Sequence, residues 1–172
     1  MVKHAPIDHI VTGTVQPGHY LVMVTGSVAT VEEAVKVGKE IGKSCLLDSL
    51  FLPNVHPGVV TAIAGEQHHA VTDALGIVET HTVASAIHAA DAGLKGAEVS
   101  LVQLRLADGL GGKGLTMFHG LVADVEAAVE IGTAVSRPHL LRHVIIPQPH
   151  AEMWHNVNRN GRFGSHFNWN FS

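Results

Sequence analysis

The sequence has few residues from which a covalent or metal-bound framework could be built. Cys45 is the only cysteine among 172 residues. One thiol excludes an internal disulfide and a Cys-rich zinc or iron-sulfur cage within a single chain, and it suits a reducing cytosolic setting. Charge is scarce too, since charged residues make up 15% of the chain and apolar residues 46%. A weakly charged surface favours a protein that is covered by copies of itself.

Basic charge and long apolar runs are also missing. The formal net charge is -4, so no electrostatic footprint for nucleic acid exists. No stretch reaches the roughly 18 consecutive apolar residues that cross a bilayer. Residues 1–6 contain no apolar signal-peptide core. We therefore predict a cytoplasmic protein that binds neither nucleic acid nor membrane.

The patterns of catalytic and metal sites are absent as well. No Gly-x-Ser-x-Gly elbow occurs and no cysteine stands beside a candidate base, so we predict that the chain is not an enzyme. The stretch 109–114 differs from a P-loop because Ala107 replaces the first glycine and Gly114 follows the lysine. Fourteen histidines are present, including His139, His143, His150, His155 and the pair His68 and His69. A catalytic zinc site needs a helical i, i+4 pair with a nearby carboxylate, whereas His68 and His69 lie in a polar linker. We predict no metal site.

The sequence contains an internal duplication. With an offset of 94 residues, the stretch 18–56 aligns without gaps to the stretch 112–150. Roughly fifteen of some forty aligned positions are identical, and the period is that of a domain rather than of a solenoid repeat. The identical pairs include Leu21 and Leu115, Gly26 and Gly120, Ala34 and Ala128, Val35 and Val129, and Pro53 and Pro147. We infer two homologous domains.

The second copy predicts a complete set of elements. Apolar runs predict strands at 74–79, 99–106, 115–118 and 140–146, and helical spacing predicts helices at 82–96 and 124–134. That order is the split βαβ arrangement, in which helices cover one face of a sheet. The predicted fold class is α/β, more closely described as α+β, with two such domains in tandem.

The first copy predicts only part of this arrangement. Its strands are expected at 7–15, 20–25 and 46–52, and its helices at 28–42 and 56–63. Cys45 opens the third of these strands and is expected to face the core. By the same offset the opening strand and first helix would precede Met1, which would leave a sheet edge and an apolar face uncovered. We expect the first domain to be truncated at its N-terminus, while cover supplied by a partner and a rearrangement remain open.

These patterns divide the chain into four parts. We predict an incomplete domain at 1–65, a polar linker at 66–73, a second domain at 74–154 and a tail at 155–172. The tail mixes asparagine and arginine with Phe163, Phe167, Trp169 and Phe171 but has no apolar period. Such composition is typical of a disordered extension, and a docking segment for cargo or for a neighbouring subunit remains open.

The second copy resembles the shell domain of bacterial microcompartment proteins. The resemblance rests on residues 75–80, on the acidic-to-lysine stretch formed by Asp91, Lys95, Gly96, Ala97 and Val99, and on the Pro-x-Pro-His ending at 147–150. With the duplication, the chain is similar to the tandem-domain, trimer-forming members over nearly all of residues 5–154. The resemblance implies three two-domain chains forming a pseudohexagonal tile.

The resemblance also implies a function and its residues. Such tiles pack edge to edge into a shell around enzymes in the bacterial cytoplasm, with other shell proteins and possibly the encapsulated enzymes as partners. Lys95 is expected at the tile edge, where it would bond to backbone carbonyls of an adjoining tile. Small polar solutes would cross a central pore lined by the two turns, which comprise Gln16, Pro17, Gly18, Asp108, Gly109, Leu110, Gly111 and Gly112.

Gln16 marks a departure from part of this family. In relatives that carry a 4Fe-4S cluster at the pore, a cysteine precedes the Pro-Gly pair, whereas this chain has Gln16. An amide oxygen does not replace a thiolate as a ligand of such a cluster, so we expect no cofactor.

Two other functions remain open at this stage. A split βαβ fold also serves in regulatory modules that bind small molecules, and some relatives conduct electrons through iron-sulfur clusters. Assembly discriminates the first from a shell subunit, because a regulator stays a discrete oligomer that its ligand stabilises. A brown colour after anaerobic purification would indicate the second.

Overall fold

The computed structural model describes residues 6–65, 73–107 and 109–157. The first half contains strand β1 (His9–Val15), strand β2 (His19–Thr25), helix α1 (Val28–Ile41) and helix α2 (Pro57–Ile63). The second half contains strand β3 (Ala74–Thr80), helix α3 (Val83–Gly96), strands β4 (Ser100–Leu106) and β5 (Gly114–Gly120), helix α4 (Val122–Ser136), a 3-10 turn (Arg137–His139), strand β6 (Leu140–Pro147) and helix α5 (Ala151–Val157). The β-α-β-β-α-β order predicted for the second copy is confirmed.

Strands of the two halves form separate sheets. In the second half the strand order is β4-β5-β3-β6, and every neighbouring pair is antiparallel. In the first half β1 and β2 form an antiparallel hairpin that pairs His9 with Thr25 and Val15 with His19. The mixed α and β composition confirms the predicted fold class.

The core lies mainly between the four-stranded sheet and helices α3 and α4. It includes Phe118 and Val125, which are fully buried, together with Leu94 and Leu106. Residues of the first half complete this core, since Val15, Leu21, Met23, Leu50, Leu52 and Ala62 pack against it. A second cluster on the opposite face of the sheet joins Trp154 of α5 to Leu75, Val102 and Met117.

The two copies bury their equivalent helices to different extents. Helix α4 buries Val125, Ala128, Val129 and Gly132 along the side that faces α3 and the sheet, whereas α1 buries only Ala34. Val28 and Ile41 at the two ends of α1 remain 49% and 75% exposed. The described residues contain no helix in the first half that covers α1 as α3 covers α4.

The prediction of a strand at 46–52 is wrong. Its counterpart in the second half is β6, which pairs with β3 along its full length, but no strand of the described residues lies beside 46–52. A strand needs a partner for its backbone donors and acceptors, so the same sequence pattern gives no strand here. Residues 46–56, called the strap below, instead contact helix α3 through side chains and backbone groups.

The placement of Cys45 also differs from the prediction. Cys45 is exposed and follows a turn in which its backbone N–H donates to the Gly42 carbonyl at 2.8 Å. Because the predicted strand does not form, no sheet carries this side chain into the core.

Two helices have other bounds than the sequence predicted, and some predicted segments lie outside the described residues. Helix α2 begins at Pro57, one residue later than predicted, because the His56 side chain caps it by accepting from Gly58 N at 3.1 Å. Helix α5 continues through Val157 and so includes the first three residues of the predicted tail. Asp108, most of the predicted linker (66–72) and residues 158–172 lie outside the described residues.

Candidate functional site

The two turns predicted to line a pore are both tight, and each contains glycine in a left-handed backbone conformation. In the first, Gly18 N donates to Val15 O at 3.0 Å and Gly18 has a φ of 109°. In the second, Ala107 N donates to Lys113 O at 3.0 Å and Leu110 N donates to Ala107 O at 3.1 Å. Gly109, Gly111 and Gly112 have φ values of 69°, 63° and 86°, a region that glycine adopts without steric cost.

The structure brings these two turns into contact. A Cβ atom at Gly112 would lie 2.9 Å from Pro17 Cδ and 2.9 Å from two ring atoms of His19. Gly112 is therefore required both by its backbone conformation and by the close approach of the first turn. Gln16, Pro17 and Gly18 are exposed beside this contact, as are Gly109 and Gly111, while Leu110 is partly buried.

The sequence did not point to His19 or to the charges behind the second turn. Glu79 accepts from Lys113 Nζ at 2.9 Å through one oxygen and pairs with Arg142 Nε at 3.1 Å through the other. Glu79 lies on β3, Arg142 lies on β6, and Lys113 directly precedes β5, so only the sheet register brings them together. The Glu79 carboxylate holds the side chain of Lys113, and the backbone carbonyl of Lys113 closes the second turn by accepting from Ala107 N.

Lys95 makes its contacts within its own chain. Its Nζ donates to the backbone carbonyl of Asn54 and to Asp91 Oδ2, the latter at 2.5 Å. Asp91 is 3% exposed, and its other oxygen accepts from His56 N at 2.8 Å. The resemblance predicts that Lys95 bonds to a backbone carbonyl of an adjoining tile. In the structure of a single chain it bonds instead to the carbonyl of Asn54 in the strap. Its position at the tile edge stays a prediction.

A second polar contact ties the strap to the start of α3. Asp48 Oδ2 accepts from the hydroxyls of Thr82 and Ser85, the latter at 3.0 Å, and Asp48 Oδ1 accepts from Ser49 N at 2.7 Å. Thr82 also caps α3 by accepting from Ser85 N at 3.2 Å. The sequence gave no signal for this contact, because the partners of Asp48 are more than thirty positions away.

An open pocket of about 660 Å³ lies on the face of the sheet opposite α3 and α4. The sheet contributes Gln103, Arg105 and Met117, and the end of the chain contributes His150, Glu152, Met153 and Val157. Gln103 Nε2 donates to the carbonyl of Val157 at 2.5 Å, which holds the last residue of α5 at the wall of the pocket.

The described residues contain neither a cluster of metal-ligating side chains nor a helix that could span a membrane. Within residues 6–65, 73–107 and 109–157, no group of three or more His, Cys, Asp or Glu side chains is arranged to hold a metal ion. Across the same ranges, none of the helices has the length and apolar character to cross a membrane.

Comparison with known proteins agrees with the fold. The BMC domain matches residues 1–55 and again residues 74–149. The bacterial microcompartment shell protein PduT of Citrobacter freundii is 39% identical over 156 residues, which are 90% of this chain and 85% of PduT. The shell protein EutM of Salmonella typhimurium is 35% identical over 83 residues, which are 47% of this chain and 84% of EutM.

A solved structure gives the same assignment. The crystal structure of a microcompartment protein from Desulfitobacterium hafniense DCB superposes with a TM-score of 0.76 at 40% identity. The match covers 88% of this chain and 86% of that protein. Because the BMC domain matches this chain twice and the chain is similar to these microcompartment proteins, it belongs to the BMC-domain family of bacterial microcompartment shell proteins.

Proposed function

We propose that three copies of this chain form a pseudohexagonal tile with a central pore, and that such tiles join into the shell of a microcompartment in the bacterial cytoplasm. The contact between Gly112 and the pair Pro17 and His19 carries the proposal, because it joins the two homologous turns within one chain. Two homologous domains packed side by side make a heterologous contact, which closes into a ring when it is repeated around an axis. The proposed role is structural, without a catalytic step.

The pore is proposed to pass small polar solutes. Gln16 supplies an exposed amide at the first turn, and the second turn exposes Gly109 and Gly111, whose backbone N–H and C=O groups are polar. Neither turn places an exposed large apolar side chain at the proposed opening, since Leu110 is partly buried. Other shell proteins are the proposed partners at the tile edges, and the enclosed enzymes are partners on the inner side.

The first experiment combines light scattering with negative-stain electron microscopy of the purified chain. We expect a trimer that forms sheets or tubes. Lys95→Ala is expected to remain a trimer and to lose the sheets, because the edge lysine is removed. Lys39→Ala is the matched control, since Lys39 is also an exposed lysine in the last turn of a helix. A discrete oligomer without sheets, stabilised by a small molecule, would instead indicate a regulatory module.

A second experiment tests the chemistry of the pore. Gln16→Cys would present one thiolate per subunit at the proposed threefold axis, and three thiolates can hold an iron-sulfur cluster. After anaerobic reconstitution with iron and sulfide, we expect this variant to become brown with one cluster per trimer, while the unchanged chain stays colourless. Thr14→Cys is the control, because Thr14 is exposed on β1 outside the turn. Equal colour in both variants would contradict the placement of Gln16 at the axis.

A further inference from the structure

The open pocket beside α5 is a second surface, separate from the proposed pore and from Lys95. Its floor is apolar where Met117 and Met153 meet, and its rim carries Arg105 and Glu152. Glu152 is exposed, with 89% of its side chain accessible to solvent. The surface therefore combines flexible thioether side chains, which pack well against aromatic rings, with an exposed carboxylate at the rim, whose nearest partner is His150 Nδ1 at 4.0 Å.

The chain leaves helix α5 at this pocket. Val157 lines the pocket, and its carbonyl is fixed by the Gln103 amide at 2.5 Å. Fifteen residues follow, at positions 158–172. Since an extended chain spans roughly 3.3 Å per residue, residue 163 can reach any part of the pocket from the end of α5.

The composition of residues 158–172 complements the pocket. Arg159 and Arg162 are the cations nearest to Val157 in sequence, and Phe163 is the first aromatic residue after it. An arginine can pair with the Glu152 carboxylate, and a phenyl ring can contact the two methionine sulfurs. The pocket volume of about 660 Å³ lies within the range in which proteins enclose small apolar groups.

We propose that residues 158–163 dock in this pocket of their own chain, with Phe163 against Met117 and Met153 and with Arg159 or Arg162 paired with Glu152. The occupied pocket would extend the apolar cover that Trp154 begins on this face of the sheet. The proposal does not depend on the pore or on the tile edge, so it can fail while the shell function holds.

Limited trypsin digestion tests the docking, because trypsin cuts after Arg159 and Arg162. Cleavage of the full chain is followed by mass spectrometry, with cleavage after the exposed Lys43 as the internal reference. Phe163→Ser and Glu152→Gln are expected to raise the cleavage rate at Arg162 on the order of tenfold, because proteolysis follows the population of the undocked form. Phe171→Ser is the matched control and should leave the rate unchanged. Equal rates in the unchanged chain and in Phe163→Ser would overturn the proposal.

A cross-link identifies the chain to which the segment binds. In a Cys45→Ser background, Met153→Cys together with Phe163→Cys is expected to form a disulfide under mild oxidation. A product of single-chain mass on a non-reducing gel supports docking within the chain. A product of two-chain mass shows that a second copy receives the segment and overturns the proposal, as does the absence of any disulfide.

Discussion

Trp154→Ala is expected to lower the free energy of unfolding by about 3–5 kcal/mol, the range found for large aromatic side chains removed from a packed core. Trp154 is 2% exposed and forms the centre of the cluster with Leu75, Val102 and Met117. It also meets His119 edge-to-face, with ring centroids 6.2 Å apart. Without the indole, only the partly buried Met153 and Val157 would hold α5 on the sheet.

Trp154→Phe separates packing from hydrogen bonding at this position. The indole Nε1 is buried and has no acceptor among the described residues, so its removal sacrifices no hydrogen bond of the described structure. The phenyl ring keeps much of the apolar contact, and we expect well under half of the loss seen with alanine. Urea unfolding followed by far-ultraviolet circular dichroism measures both variants. Equal losses would contradict the assignment of the stability to packing.

Asp91→Ala is the second change with a large expected effect, about 2–3 kcal/mol of unfolding free energy. The carboxylate accepts a backbone N–H from His56 and the ammonium of Lys95. A hydrogen bond to a charged group contributes about 1.5–3 kcal/mol, and a buried donor left without an acceptor costs more than an exposed one. Because 41% of the Lys95 side chain is exposed, its charge can turn to water, and this limits the loss.

Asp91→Asn and a double-mutant cycle with Lys95→Ala test this explanation. The asparagine oxygen can still accept from His56 N, so Asp91→Asn should cost clearly less than Asp91→Ala. The losses of Asp91→Ala and Lys95→Ala should not add, because both remove the same ion pair. Thermal or urea unfolding gives all four values. Additive losses, or equal losses for alanine and asparagine, would show that the contact does not fasten the strap to α3.

The sequence predicted the second domain well because its elements are complete. Each strand in residues 74–147 has its pairing partner within the same range, so the apolar pattern and the hydrogen-bond partners favour the same elements. The segment 46–52 shows why pattern alone is insufficient. It aligns with β6, yet it forms no strand, since pairing depends on a neighbour that a local pattern does not contain. The misplacement of Cys45 follows directly from this error.

The candidate site was predicted in part for the same reason. The duplication located both turns, because the residues between two strands align in the two copies. The packing of His19 against Gly112 and the pairing of Glu79 with Lys113 arise only when the halves fold together. Likewise, the sequence could not predict the contact of Asp48 with Thr82 and Ser85, because these partners lie on a different element of the fold.

The strap has a consequence for the unfolding of the whole chain. It bonds to the first turn of α3 through Asp48 and to the last turns through Asn54 and His56, so it runs along this helix for most of its length. Helices α3 and α4 together cover the second sheet, and residues of the first half complete the same core. Melting of the first half would therefore strip contacts from the central helix of the second. Although the sequence contains two homologous domains, we therefore expect the chain to unfold in a single cooperative transition.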